Sequence, residues 1–369
     1  FDSYMSIYVA LEDKSLGEAM TKLLVEETWT SAPSARADSR VFTSSKELFI
    51  ALKRSFKRGT ALQMSPTLHE LQRVWGKHLR AYAKQLHEVL DKGTPGDASS
   101  AASLATREGP QQLATACAVV NTGKYCAETS GQLEESLIKA MEPAWASRVD
   151  LSAVIDEFQA VVTTGMRLLV AALEARMAAA LTAMTKVKWD TIDELSEDTS
   201  PYMLEVVAKA RDLMPLLGEA LMPLYVRFFC DKFVQSFVPR LIGNIYRCKR
   251  ICEIGAQQMQ IDVGTLKATL FELPALAQAP SPATYSKLVA SEVAAAEQLL
   301  KLVQTPEELL EATVEQMREG GLNVDLQKIL ELKGLKKEAA TQLMDAMKDT
   351  MISAQDGGKR IKKMLNLGS

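Results

Sequence analysis

Residues 222–262 read MPLYVRFFCDKFVQSFVPRLIGNIYRCKRICEIGAQQMQID, and this stretch decides the fold class. Tyr225, Phe228, Phe229, Phe233 and Phe237 follow an i, i+3, i+4, i+8, i+12 spacing. At about 100° per residue they cover roughly half of one helix face, with Arg227, Asp231 and Gln235 on the opposing stripe. Four of the ten Phe lie here, so the spacing predicts a helix docked into the centre of a helical core. Pro239 removes a backbone donor and is expected to bend or end that helix. Beyond it stand Arg240, Arg247, Lys249 and Arg250 with no acid between them. A buried aromatic face beside an exposed basic end makes these four cations the leading candidates for a partner or membrane contact.

Outward from this stretch the chain is helical in both directions. Ala, Leu, Met, Glu and Lys dominate, and no period-two alternation lasts long enough for a strand. On the amino-terminal side, Tyr4, Ile7, Tyr8 and Leu11 share one face, and Ser15 with Glu18 predicts a capping box opening a second helix. Ser44 with Glu47 predicts another cap, and Ser65-Pro66 a third. A helix is expected over about 150–187, and Ser200-Pro201 opens the next. Pro215 and Pro223 predict kinked pieces, and a short helix at 263–273 is expected to end at Pro274. Thr305-Pro306-Glu307-Glu308 combines a cap, a first-turn proline and acids at the positive end of a helix dipole. The expected division is 1–92 as a first helical segment, 93–109 as a flexible linker of small polar residues, 110–278 as a central bundle, 279–356 as a carboxy-terminal bundle, and 357–369 as a basic flexible tail.

Composition removes whole classes of function. The 369 residues are 47% hydrophobic and 24% charged, enough for a sizeable core, and the net charge of -3 gives no global pull toward nucleic acid or anionic lipid. Five irregularly spaced Cys read as reduced thiols packed like small hydrophobes. The three His, at 69, 78 and 87, step by nine residues, so His78 faces away from the other two and no shared metal site forms. Phosphate-binding loops, nucleophile elbows and zinc motifs are missing. No metal, no cofactor and no enzymatic activity is expected. Residues 46–92 hold ten Lys or Arg against four acids. The tail adds Lys359, Arg360, Lys362 and Lys363 as further contact candidates, and no nucleic-acid-binding signature accompanies either cluster. The start at Phe1, inside a helical pattern, suggests a piece of a longer protein.

Several strings are more specific than generic helix: FDSYMSIYVALEDKSLGEAM at 1–20, WGKHLRAYAKQL at 75–86, VNTGKYCAETSGQLEE at 120–135, LTAMTKVKWDTIDELSEDTSPY at 181–202, FVPRLIGNIYRCKRICEIGAQQMQID at 237–262 with LKATLFELPAL at 266–276, and LQKILELKGLKKE at 326–338. In this order and over essentially the whole chain they resemble the carboxy-terminal half of the Vps fifty-three family. That family belongs to the Golgi-associated retrograde protein (GARP) tethering complex and its endosomal relative. The resemblance implies an all-α, elongated rod of stacked antiparallel helix bundles. It further implies a non-enzymatic scaffold in transport from endosomes to the trans-Golgi network, peripheral on the cytosolic face of those membranes. Other tether subunits are the implied partners, with SNAREs and small GTPases beside them. An exocyst or conserved oligomeric Golgi subunit is the nearest alternative. Direct binding of anionic lipid through the basic clusters is the rival from another class.

Overall fold

The computed structural model describes residues 2–29, 40–92, 109–319 and 326–335. Among the described residues the elements are all helices: α1 (Asp2–Glu26), α2 (Thr43–Ala61), α3 (Ser65–Lys92), α4 (Gly109–Ala140), α5 (Pro143–Ala146), α6 (Ser152–Met184), α7 (Pro201–Ala220), α8 (Pro223–Ile245), α9 (Glu253–Leu276), α10 (Ala283–Gln304), α11 (Glu307–Glu319) and α12 (Leu326–Lys333). The all-α expectation holds. Proline opens α5, α7 and α8, where a missing N–H costs nothing.

The helix ends allowed at Pro239 and expected at Pro274 do not occur. Pro215, Pro239 and Pro274 all lie inside helices. An interior proline costs about 3 kcal/mol. Pro239, however, sits among buried Phe237, Val238, Leu241 and Ile245, whose burial offsets that penalty. For the same reason α9 is one helix of 24 residues and not a short piece beginning at 263. The capping box at Ser15 opens nothing, because α1 runs unbroken through it. Ser44 does not cap α2 either. Its N–H donates to the Glu27 carboxylate at 2.6 Å, so an acid from outside the helix satisfies that end.

Contacts cluster into two compact units. The first holds residues 1–176, 209–232 and 273–280. Its centre is Trp75, fully buried, with its indole N–H on Ser55 Oγ at 3.0 Å and its ring edge-on to Phe56. Helix α1 is fastened by charge. Arg58 donates twice to Glu12, both at 2.7 Å, while Lys77 at 2.8 Å and His78 at 2.7 Å reach the Asp13 carboxylate. The Arg58 hydrogen bond holds the Glu12 carboxyl below its usual range, and the Lys77 bond does the same for Asp13. Asn121, with no exposed surface, ties three segments together. Its amide donates to the carbonyls of Arg40 and Ala220, and its Oδ1 accepts the N–H of Met222. Gly218 packs directly on the Ala277 carbonyl, where a Cβ would collide with backbone.

The second unit holds residues 177–208, 233–272 and 281–369, of which 177–208, 233–272, 281–319 and 326–335 are described. Trp189, 1% exposed, pins the irregular stretch between α6 and α7. Its indole N–H donates to Met184 O at 2.9 Å, and its carbonyl accepts the Cys252 N–H at 3.1 Å. Gln258 holds the same stretch through Ser196 N and Asp198 O. Asp262 accepts the Ser200 N–H at 2.7 Å, just ahead of Pro201 at the start of α7. Burial raises the Asp262 carboxyl above its ordinary range despite that bond. Tyr285 closes α10 on α9 through Leu270 O at 2.5 Å.

All five cysteines are free, and Cys117, Cys126, Cys230 and Cys248 are buried. Burial pushes the Cys248 thiol up to about 11 and that of Cys230 up to about 12. Among the described residues one helix, α6, is long and apolar enough to cross a membrane by length and composition. Phe158, Leu169, Leu173 and Leu181 on it are buried within the protein, as in a core helix.

Candidate contact surface

The expected aromatic face of α8 is only partly the buried one. Phe229, Phe233 and Phe237 are at most 1% exposed, with Phe233 stacked on Phe237 at 5.0 Å. Phe228 instead leaves 43% of its surface in solvent, beneath the Lys232 ammonium at 5.6 Å. Residues 228 and 229 differ by about 100° around a helix, so a core that centres one places the other on its edge.

The basic cluster falls on the last turns of α8 and on the turn that follows. Arg240, Arg247, Lys249 and Arg250 are all exposed. The turn closes through Arg247 N to Asn244 O at 3.0 Å and Cys248 N to Ile245 O at 3.0 Å. Those bonds bury Cys248 and leave the charged neighbours outward. Ile251 N then donates to Leu332 O at 2.8 Å, which brings α12 against the turn. Helix α12 ends in a Schellman motif, with Gly334 N on Glu331 O and Leu335 N on Leu330 O. Gly334 has φ +73°, and the Arg250 side chain lies across the space that its Cβ would fill. Arg250 is thus seated on a glycine.

This packing adds a cation that sequence spacing does not reveal. Lys328, on α12, lies 5.2 Å over the Tyr246 ring. It stands beside the turn that carries Arg247, Lys249 and Arg250. Lys333 turns the other way, its ammonium donating to Val303 O at 2.8 Å and Thr305 O at 2.6 Å. It caps the last turn of α10, and desolvation lowers its pKa. The LQKILELKG pattern signals the helix and its terminal glycine, yet the eighty-one residues between 246 and 328 hide their meeting. The expected contacts at Lys359, Arg360, Lys362 and Lys363 lie outside the described residues. Among the described residues no three His, Cys, Asp or Glu are grouped to hold a metal ion. Of the His, His78 bonds Asp13 and His69 packs against Trp145.

The all-helical fold has a structural counterpart. The C-terminal domain of the exocyst subunit Sec6p superposes with a TM-score of 0.74, covering 98% of this chain and 92% of that one. At 11% identity the likeness shows the fold, a helical type shared with a tethering-complex subunit. The family model for the vacuolar protein sorting-associated protein 53 C-terminus matches residues 257–335. Vacuolar protein sorting-associated protein 53 A of Arabidopsis thaliana is 36% identical over 348 residues, which is 94% of this chain and 42% of the relative. The Caenorhabditis elegans homolog is 26% identical over 368 residues, 94% of this chain and 45% of its own length. Over nearly its whole length the chain is thus similar to vacuolar protein sorting-associated protein 53 relatives, and it spans less than half the length of these curated relatives.

Proposed function

We propose that this chain is a non-enzymatic scaffold segment of a multisubunit vesicle-tethering complex. The complex serves retrograde transport from endosomes to the trans-Golgi network, and endosomal recycling, as the GARP complex and its relative do. The observation that carries this reading is the 36% identity maintained over 94% of the chain. A scaffold works through geometry, so weak contacts spread along one body give avidity without a catalytic centre. Its partners are the sister subunits, with SNAREs and small GTPases as further ones. Its place is peripheral, on the cytosolic face of trans-Golgi network and endosomal membranes. The test is replacement of the matching region of the Arabidopsis relative by this chain, scored by vacuolar protein sorting. Restored sorting supports the reading, and a well-expressed chimaera that fails to sort overturns it.

The exposed cations around Arg247 favour a second reading, direct contact with anionic lipid. Exposed charges are screened over about 8 Å at physiological ionic strength, so that contact would be salt-sensitive. Co-sedimentation of the full chain with anionic and neutral vesicles separates the two readings. Pelleting that requires anionic lipid and disappears on reversal of Arg240, Arg247, Lys249 and Arg250 supports lipid contact. Absence of pelleting leaves these cations to a protein partner.

A further inference from the structure

Away from the basic turn, the first unit has a groove between α2 and α4 with a volume of about 300 Å³. Both walls have the same register. Phe49, Leu52, Lys53 and Phe56 line it from α2 at i, i+3, i+4 and i+7, and α4 repeats that spacing from Thr129 to Ser136. The floor is apolar and firm, since Phe49, Leu52 and Leu133 are at most 6% exposed. Each row is roughly 10 Å long, two helical turns, which is the reach of i, i+3/i+4, i+7 anchors on a guest helix.

The rim is one-signed. Lys53, Arg54 and Lys57 are exposed, and none has an ion-pair partner among the described residues. Their neighbours are satisfied: Arg58 on Glu12, Lys77 on Asp13 and Arg73 on Glu70. Across the groove Gln132 and Ser136 are uncharged, and Glu135 already faces Lys139 at 3.9 Å. Ile50, 39% exposed, shares a helix face with Lys53 and Lys57 at i, i+3 and i+7, so the charged rim has an apolar residue beside it. We propose that this groove seats an acidic amphipathic helix supplied by a protein partner. Apolar side chains of the guest enter between Phe49 and Leu133, and its carboxylates meet Lys53 and Lys57.

The experiment pans a library of helix-forming peptides on the full chain and measures the enriched peptides by fluorescence anisotropy. Ser136 is exposed, and its hydroxyl bonds only the Gln132 carbonyl of its own helix, so Ser136→Trp fills the groove without opening the core. The expected winners carry apolar residues at i, i+3/i+4 and i+7 with acids between. Ser136→Trp and the double reversal Lys53→Glu, Lys57→Glu each weaken them about tenfold or more. Circular dichroism of both variants confirms that the fold is kept. Winners without acidic bias, winners that bind the Ser136→Trp chain equally well, or no enrichment at all overturn the proposal. So does anionic-vesicle binding that Ser136→Trp abolishes, which would give the groove to an acyl chain.

Discussion

Asn121 and Gly334 show how much one residue fixes. Replacing Asn121 by Leu leaves the Arg40 and Ala220 carbonyls and the Met222 N–H without their partner in a buried site. Unmet buried polar groups cost about 1–3 kcal/mol each, but these three bonds are only part-buried, so water can meet some of the loss. The expected total is about 2–4 kcal/mol, read as a lower denaturant midpoint at an unchanged slope. Gly334→Ala is expected to cost about 1–2 kcal/mol, because an L side chain resists positive φ and its Cβ displaces Arg250. A midpoint unchanged by Gly334→Ala would remove Arg250 from that seat. The role of Asn121 was not open to the sequence alone. VNTGKY carries no mark that Asn121 answers to backbone about eighty and one hundred residues away. A glycine after a helix, by contrast, signals its C-cap locally, and Gly334 fulfils it.

At the scale of elements, local signals were most legible where the chain answers to itself, as in the first-turn proline of α7. They misled where packing overrules propensity, as at Pro239 and Pro274, or where an acid from elsewhere does the work of Ser44. Helix α1 depends on such distant groups, and this gives it a pH signature. The carboxyls of Glu12 and Asp13 are depressed in the folded state. Their contribution is therefore fully present above the unfolded values of 4.5 and 3.8, and it is lost as pH falls through the lower folded ones. The thermal midpoint is expected to drop between about pH 5 and pH 3, and to drop less steeply in Glu12→Gln, which cannot titrate there. At neutral pH Glu12→Gln is expected to cost about 1–2 kcal/mol, less than a fully buried pair because Arg58 is half exposed. Equal slopes in the two proteins would show that the Glu12–Arg58 pair does not hold α1.

For the whole molecule, fold class and family resemblance were legible because many helical segments and several specific strings agree in order. The exposed basic surface was half legible. Arg247, Lys249 and Arg250 are neighbours in sequence, but Lys328 reaches them only because Ile251 pairs with Leu332 in the folded chain. Reversing Arg247 with Lys249, both exposed, is expected to leave stability within about 0.5 kcal/mol while it weakens a partner bound at this face. Reversing Lys328 as well is expected to cost about 0.5–1 kcal/mol more, because its contact with the Tyr246 ring is lost. A large loss of stability would mean that these cations hold the fold. The buried thiols open a practical route to such tests. Maleimides attack thiolates, which Cys230 and Cys248 scarcely form when burial lifts them to about 12 and about 11. Once the partly exposed Cys252 is replaced by Ser, a cysteine introduced on the surface, as in Gln132→Cys at the groove rim, becomes the one fast-reacting handle against the four buried native thiols. A fluorophore can then report occupancy of a single face without stripping the native sulfurs from the core.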